Sequence, residues 1–177
     1  MQGKVSIDGE VVSKAGAQFS DDTLVTLDEE HPKFVSRAGF KLEAALEEFK
    51  LDVTGFTCLD AGISTGGFSD CLLQRGAKRI YGVDVGYNQV HEKVSSDPRI
   101  TLLEKTNLRL LTSLPEPIDL ATLDLSFISL LKVIEQVASF LKPDGTIITL
   151  IKPQFEAERK DIGRGGLVSD SAVHEAV

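Results

Sequence analysis

Apolar positions along the chain change their period twice. Residues 1 to about 27 show no helical repeat. In Val5-Ser6-Ile7-Asp8-Gly9-Glu10-Val11-Val12 apolar and polar residues alternate on either side of Asp-Gly. This is the strongest short hairpin signal, because a tight two-residue turn requires positive φ at its centre. Thr23-Leu24-Val25-Thr26-Leu27 predicts a further strand. So small a piece is not stable alone. Asp28-Glu29-Glu30 and Pro32 then predict a linker. From Ser36 to about Lys50 the period becomes helical: Leu42, Ala45, Leu46 and Phe49 stand at i, i+3, i+4 and i+7, one stripe to be buried. Arg37 and Lys41, also i and i+4, fall on a different face.

Beyond this helix the pattern alternates. Apolar runs predict strands at Thr57 to Asp60, Arg79 to Asp84, Ile100 to Glu104, Asp119 to Asp124 and Thr146 to Lys152. Helical stretches separate them, at Gly67 to Arg75 and at Ser129 to Leu141. The latter stops at the turn Lys142-Pro143-Asp144-Gly145. Strand–helix alternation predicts an α/β domain, a doubly wound, mostly parallel sheet with helices on both faces. The boundaries expected are residues 1–30 for the small strand-rich part and linker, and 31–177 for the α/β domain.

The 177 residues are enough for a real core, and 42% hydrophobic with 26% charged residues is a globular profile. No run approaches the ~20 apolar residues of a membrane span, and no signal-peptide pattern opens the chain. With only two cysteines there is no disulfide framework, so a reduced, cytoplasmic setting is expected. The net charge of −8 runs against a nucleic-acid partner, since phosphate is gripped by Lys and Arg. A local basic patch on an acidic protein is still compatible with one.

The candidate chemistry sits at strand ends. Leu59-Asp60-Ala61-Gly62-Ile63-Ser64-Thr65-Gly66-Gly67-Phe68 is a glycine-rich turn from strand to helix, where backbone approaches a ligand closely. Asp84 ends the next strand, 18 residues beyond Gly66, near the ~20 expected for a carboxylate on ribose hydroxyls. The glycines do not spell G-x-G-x-x-G, and no Walker-type Gly-Lys-Ser/Thr follows. A pyrophosphate site is disfavoured, and a nucleoside with an amino-acid tail, such as S-adenosylmethionine, fits better. Asp60, Asp84, Asp124 and Lys152 would converge on the rim at the carboxyl ends of the strands. A lysine ending an apolar strand needs a partner, and Asp124 is the obvious one. The pair is either a plain salt bridge or a lysine tuned to accept a hydroxyl proton. Sequence does not choose between these.

Taken together, Val35-Ser36-Arg37-Ala38-Gly39-Phe40-Lys41-Leu42, the Asp60 to Phe68 turn, Asp124 to Ser129 and Ile151 to Glu156 resemble the FtsJ-like ribosomal RNA 2'-O-methyltransferases, within them the haemolysin A (TlyA-type) branch. Gly165-Gly166-Leu167-Val168 and Val173-His174-Glu175-Ala176-Val177 are similar to that branch too. The resemblance covers nearly everything from residue 33 onward. It implies a Lys-Asp-Lys-Glu catalytic set, of which Lys41, Asp124 and Lys152 are the first three. Lys152 would act on the 2'-hydroxyl of a cytidine while Asp124 and Lys41 hold substrate and lysine. It also implies S-adenosylmethionine contacts at Asp60, Gly62, Ser64, Gly66, Gly67, Phe68, Asp84, Val85, Asn107 and Asp124, with Asn107 where many relatives hold an acid. The partner would be ribosomal RNA or ribosomal subunits, without a membrane role. The fourth catalytic residue would lie beyond Val177, and residues 1 to 27 look like the tail of an S-four-like RNA-binding domain. An incomplete chain is therefore expected.

Lys33, Arg37, Lys105 and Arg109 are candidates for an RNA-facing patch, with solvated surface charge as the plainer reading. Arg159, Lys160 and Arg164 fall in a loop suited to closing over substrate. Phe127 is expected as a buried rim aromatic, with base stacking as the alternative. His31, His91 and His174 have no metal-binding spacing, and Cys58 and Cys71 read as packing residues. The competing functions are a nicotinamide dehydrogenase, which the missing G-x-G-x-x-G disfavours, and a non-catalytic RNA- or ribosome-binding module. A membrane-active haemolysin is disfavoured by the lack of an amphipathic basic helix.

Overall fold

A computed structural model describes residues 5–12, 14, 16–27 and 32–177. The acidic part of the expected linker, Asp28-Glu29-Glu30, and His31 lie outside the described residues. The chain divides into two compact units, Met1–Lys33 and Phe34–Val177.

In the first unit β1 (Val5–Ile7), β2 (Glu10–Val11) and β3 (Val25–Leu27) form an antiparallel sheet in the order β2-β1-β3. The expected hairpin is β1–β2, and Asp8 and Gly9 both take the positive φ its turn demands, 48° and 87°. The Asp8 carboxylate also accepts from the Leu24 N–H at 3.2 Å, tying the turn to the chain entering β3.

The second unit opens with α1 (Ala38–Glu48) and alternates thereafter: β4 (Thr57–Ala61), α2 (Gly67–Gln74), β5 (Arg79–Val83), α3 (Glu92–Ser95), β6 (Ile100–Leu103), β7 (Ile118–Leu123), α4 (Ile134–Ala138), β8 (Leu141–Thr149), α5 (Pro153–Glu156) and α6 (Ser171–Ala176). The five strands β4–β8 are all parallel, in the order β6-β5-β4-β7-β8. This is the doubly wound arrangement, and its order reverses between β4 and β7, where ligands bind in open α/β sheets.

Alternation along each strand separates two cores. Cys58, Ile80 and Leu120 face Leu42, Leu46, Phe68 and Leu72 from α1 and α2. Leu59, Ala61, Tyr81, Val83, Ala121 and Leu123 face Val133, Val137 and Phe140 on the opposite side. Both faces are covered, so β4 is buried along its whole length. Each fully buried leucine adds about 2 kcal/mol. Phe49, expected on the buried stripe of α1, is instead 65% exposed. The helix ends at Glu48, so Phe49 lies past the last turn that packs on the sheet.

The helix expected over residues 129–141 is shorter and interrupted. Ser129 caps a 3-10 turn at Leu130–Lys132, Val133 leaves helical geometry at φ −131°, and only Ile134–Ala138 is α-helical. The stop signal Lys142-Pro143-Asp144-Gly145 falls inside β8 rather than before it. The ladder jumps from Ile118↔Leu141 to Leu120↔Thr146, so the four residues are looped out of the pairing. Strands β5, β6 and β7 stop one residue short of the expected ends, and β8 stops at Thr149. Asp84, Asp124 and Lys152 are thus on loops just past the sheet, where side chains can turn into a crevice.

Candidate active site

The turn after β4 is shaped by its glycines. Gly62 takes φ 83°, and a Cβ there would stand 3.0 Å from the Asp124 carbonyl oxygen. Glycine thus lets the turn lie directly against the end of β7. At Gly67, the first residue of α2, a Cβ would collide with the Ser36 hydroxyl and lie 2.9 Å from Ala38 Cβ and 3.0 Å from the Gly39 nitrogen. This glycine brings α1, with Lys41, up to the turn.

Two adjoining cavities open at the strand ends. One, of about 380 Å³, is lined by Gly62, Ser64, Asp84, Val85, Asn107 and Phe127, among others. The second, of about 230 Å³, is lined by Lys41, Gly67, Phe68, Asp124, Ser126 and Lys152, among others. Gly62, Ser64, Asp124 and Ser126 border both.

Asp124 lies between two lysines: its Oδ1 is 2.6 Å from Lys152 Nζ and its Oδ2 3.3 Å from Lys41 Nζ. Lys152 also donates to the Ser126 hydroxyl at 3.0 Å. Lys152 and Asp124 are shielded, at 19% and 16% side-chain exposure, whereas Lys41 at 49% is half in solvent. Shielding makes the inner pair the stronger attraction and the outer one weak. Three elements distant in sequence, α1 and the ends of β7 and β8, thus deliver one cation–carboxylate–cation cluster to the wall of a cavity.

Asp84 is held by the backbone: Oδ2 accepts from the Ser64 N–H at 2.9 Å and Oδ1 from the Gly86 N–H at 2.8 Å. A carboxylate has about four lone-pair sites. Lone pairs therefore remain for a pair of ligand hydroxyls. Asn107 lines the same cavity, but its Oδ1 accepts from the Arg109 N–H at 3.0 Å. Its amide can offer a ligand N–H donors, which an ionised acid lacks, and Oδ1 keeps one lone pair.

Two of the expected cofactor residues do not line either cavity. Asp60 is 1% exposed and engaged from below, accepting from Ser69 Oγ at 2.7 Å and Thr122 Oγ1 at 3.3 Å. Burial pushes its carboxyl up to about 6, with the nearby Asp124 charge adding to the effect and the two hydroxyls opposing it. It sits beneath the turn and outside both cavities. Gly66, at φ 91°, supports the turn from behind, packed on Val94.

Among the basic candidates, Arg37 is exposed immediately before α1, and Lys105 and Arg109 are exposed on either side of Asn107. Lys105 lies over the Tyr87 ring at 4.5 Å. Lys33 is exposed at the end of the first unit. Arg159, Lys160 and Arg164 are exposed, Lys160 pairing with Glu158 at 2.9 Å. Cys58 and Cys71 are in the core, and burial pushes the Cys58 thiol up to about 12. No group of three or more metal-ligating side chains occurs among the described residues. Nor is any described helix long and apolar enough to cross a membrane.

Phe127 departs from expectation. It is 91% exposed, not buried, and takes a left-handed φ of 65° at the mouth of the larger cavity. Its ring lies 5.2 Å from that of Phe155. Ser126 and Glu156 were not singled out from sequence, although both lie in motifs that were. Glu156 accepts from the Leu130 N–H at 2.9 Å. Their partners are 26 residues away, a separation that leaves no periodic trace.

Comparison with known proteins gives the family and the fold. The FtsJ-like methyltransferase family profile matches residues 34–177. The chain is 45% identical over 173 residues to the 16S/23S rRNA (cytidine-2'-O)-methyltransferase TlyA of Mycobacterium tuberculosis, covering 95% of this chain and 64% of that protein. It is 40% identical over 184 residues to Hemolysin A of Brachyspira hyodysenteriae, covering 100% of this chain and 75% of that one. A solved structure described as "Putative hemolysin from Streptococcus thermophilus" superposes with a TM-score of 0.82 at 41% identity, covering 98% of this chain and 65% of that one. The chain spans 60% and 64% of the length of the first curated relatives it matches. With the family profile matching residues 34–177 and a 40% identical relative covered over three quarters of its length, the chain belongs to the FtsJ-like methyltransferase family.

Proposed function

We propose that the chain transfers a methyl group from S-adenosylmethionine to a ribose 2'-hydroxyl of ribosomal RNA, with cytidine as the target nucleoside. The observation that carries this reading is the Lys41–Asp124–Lys152 cluster on the cavity wall at the switch point of the sheet. The cytidine target rests on the activity named for the mycobacterial relative.

The residues present fit the cofactor. Asp84 has lone pairs for the ribose hydroxyls, and Val85, Leu108 and Ile128 give the larger cavity apolar walls for a purine. Gly62, Ser64, Gly67 and Phe68 border the route from there to the cluster, and Asn107 offers an N–H to the base. When bound, S-adenosylmethionine supplies an electrophilic methyl group. The chain's own task is positioning: Lys152, oriented by Asp124 and Ser126, meets the 2'-hydroxyl, and Lys41 steadies the carboxylate. Methyl transfer is a single in-line step, so holding the oxygen in line supplies much of the rate. The exposed Phe127 ring is a stacking surface for a splayed base, the manner in which single-stranded RNA is read. Arg37, Lys105 and Arg109 supply local positive charge on an otherwise acidic chain. The first unit is read as the tail of an S-four-like RNA-binding domain, supported by its small antiparallel sheet. An rRNA substrate agrees with a cytoplasmic setting.

The test is mass-spectrometric detection of methylated ribose in ribosomal RNA incubated with the chain and S-adenosylmethionine. Lys152→Ala should lower the rate by roughly a hundredfold or more while cofactor affinity stays unchanged. A variant as active as the wild type would exclude the proposed role of Lys152. Wild-type protein that binds the cofactor and methylates no ribosomal RNA would remove the substrate assignment.

A further inference from the structure

Lys152 immediately precedes a one-turn helix, α5, and Glu156 ends it. Both ends of this turn grip the same loop, the segment from Ser126 to Leu130 that follows β7. Lys152 Nζ donates to Ser126 Oγ at 3.0 Å, and Glu156 Oε1 accepts from the Leu130 N–H at 2.9 Å. Between them the Phe155 ring lies 5.2 Å from that of Phe127.

The loop needs such a grip. Phe127 holds φ at 65°, a region that residues with a Cβ seldom occupy, and its side chain is almost fully exposed, so burial does not keep it there. Leu130 opens a 3-10 turn, whose first amides have no partner within the turn. Ser129 takes the Leu131 amide and Glu156 takes that of Leu130. The second of these is a charge-assisted bond reaching across from another strand end.

We infer that Glu156 is a positioning residue: by accepting from the Leu130 amide it locks the 126–130 loop to α5, holding Phe127 at the cavity mouth in register with Lys152. The inference rests on the methyltransferase reading for its consequence, since Phe127 and Lys152 would there meet the base and ribose of one nucleotide. The lock itself stands on geometry alone. Glu156 acts through the loop and is assigned no contact with substrate.

The experiment compares wild type, Glu156→Ala and Glu156→Gln in the full chain. Glutamine keeps an acceptor oxygen at the same reach and removes only the charge. In Glu156→Ala, hydrogen–deuterium exchange across residues 126–131 should rise roughly tenfold, while β4 and α2 exchange as in wild type. Glu156→Gln should remain within about twofold of wild type. In methyl transfer, Glu156→Ala should raise KM for RNA roughly tenfold with a smaller change in kcat, and glutamine should restore it. Loop exchange unchanged in Glu156→Ala, or raised equally in Glu156→Gln, overturns the inference. So does a loosened loop that leaves KM for RNA as it was. If the wild type methylates no RNA, the substrate reading fails on that result, and the exchange comparison still decides whether Glu156 locks the loop.

Discussion

Asp60→Asn is the substitution that best separates a post beneath the turn from a residue that touches ligand. The carboxyl is fully buried, and burial raises it from its ordinary 3.8 to about 6 on folding. Below pH 3.8 both folded and unfolded chains hold the proton, and the contribution of Asp60 to stability is greatest. As pH rises the unfolded chain releases its proton first, so stability falls until the folded carboxyl also ionises near pH 6. At about 1.36 kcal/mol per pH unit, the loss over the whole titration is about 3 kcal/mol, of which about 2 kcal/mol falls between pH 4 and pH 7. Asparagine has no such cost and can keep the local bonds. Its oxygen can accept from Ser69, and its amide can donate to Thr122, whose hydroxyl already bonds the Leu59 carbonyl at 3.3 Å. Denaturant unfolding is followed by far-UV circular dichroism, since the chain has no tryptophan. The stability difference, variant minus wild type, should grow by about 2 kcal/mol from pH 4 to pH 7 and level off above. Other carboxyls, such as Asp97, held low by its hydrogen bonds from Arg99, affect both proteins alike and cancel. A difference that stays flat or shrinks with pH would refute the reasoning. The variant should also bind S-adenosylmethionine within about threefold of wild type, the cost of a small shift in the turn.

Asp84→Ala should do the opposite. Losing acceptors for two hydroxyls and the anchors of Ser64 and Gly86 should weaken S-adenosylmethionine binding roughly ten- to a hundredfold by calorimetry, and equal affinity would exclude Asp84 from the cofactor site. Phe127→Ala removes a ring that is 91% exposed, so the melting temperature should hold. KM for RNA should rise roughly tenfold if a base stacks there, and an unchanged KM would refute stacking.

Local pattern on the chain determined most of the architecture. Alternation located β1 and β2, apolar runs the five parallel strands and a period of 3.6 α1 and α2; in the second unit these elements bury apolar faces against neighbours that demand that spacing. The Asp8-Gly9 turn was legible because its backbone angles favour those residue types. Charge at the end of an apolar run marked Asp84, Asp124 and Lys152 as candidate chemistry, whereas Lys41, inside α1, was marked only by the family resemblance. Local pattern failed where a long-range partner overrode it. The 129–141 helix is interrupted at Val133, which leaves helical geometry with its side chain buried in the core. The Lys142 to Gly145 turn bulges from β8 because the ladder resumes beyond it. Only the tertiary structure decided that Asp60 faces the core and Asp84 the cavity, although both come at the end of an apolar strand. Pairing register and the covering of each sheet face set which way such a side chain turns, and those come from residues far along the chain. In the same way Phe127 is exposed, not buried, because contacts from α5 hold its loop in a conformation that its own sequence does not favour.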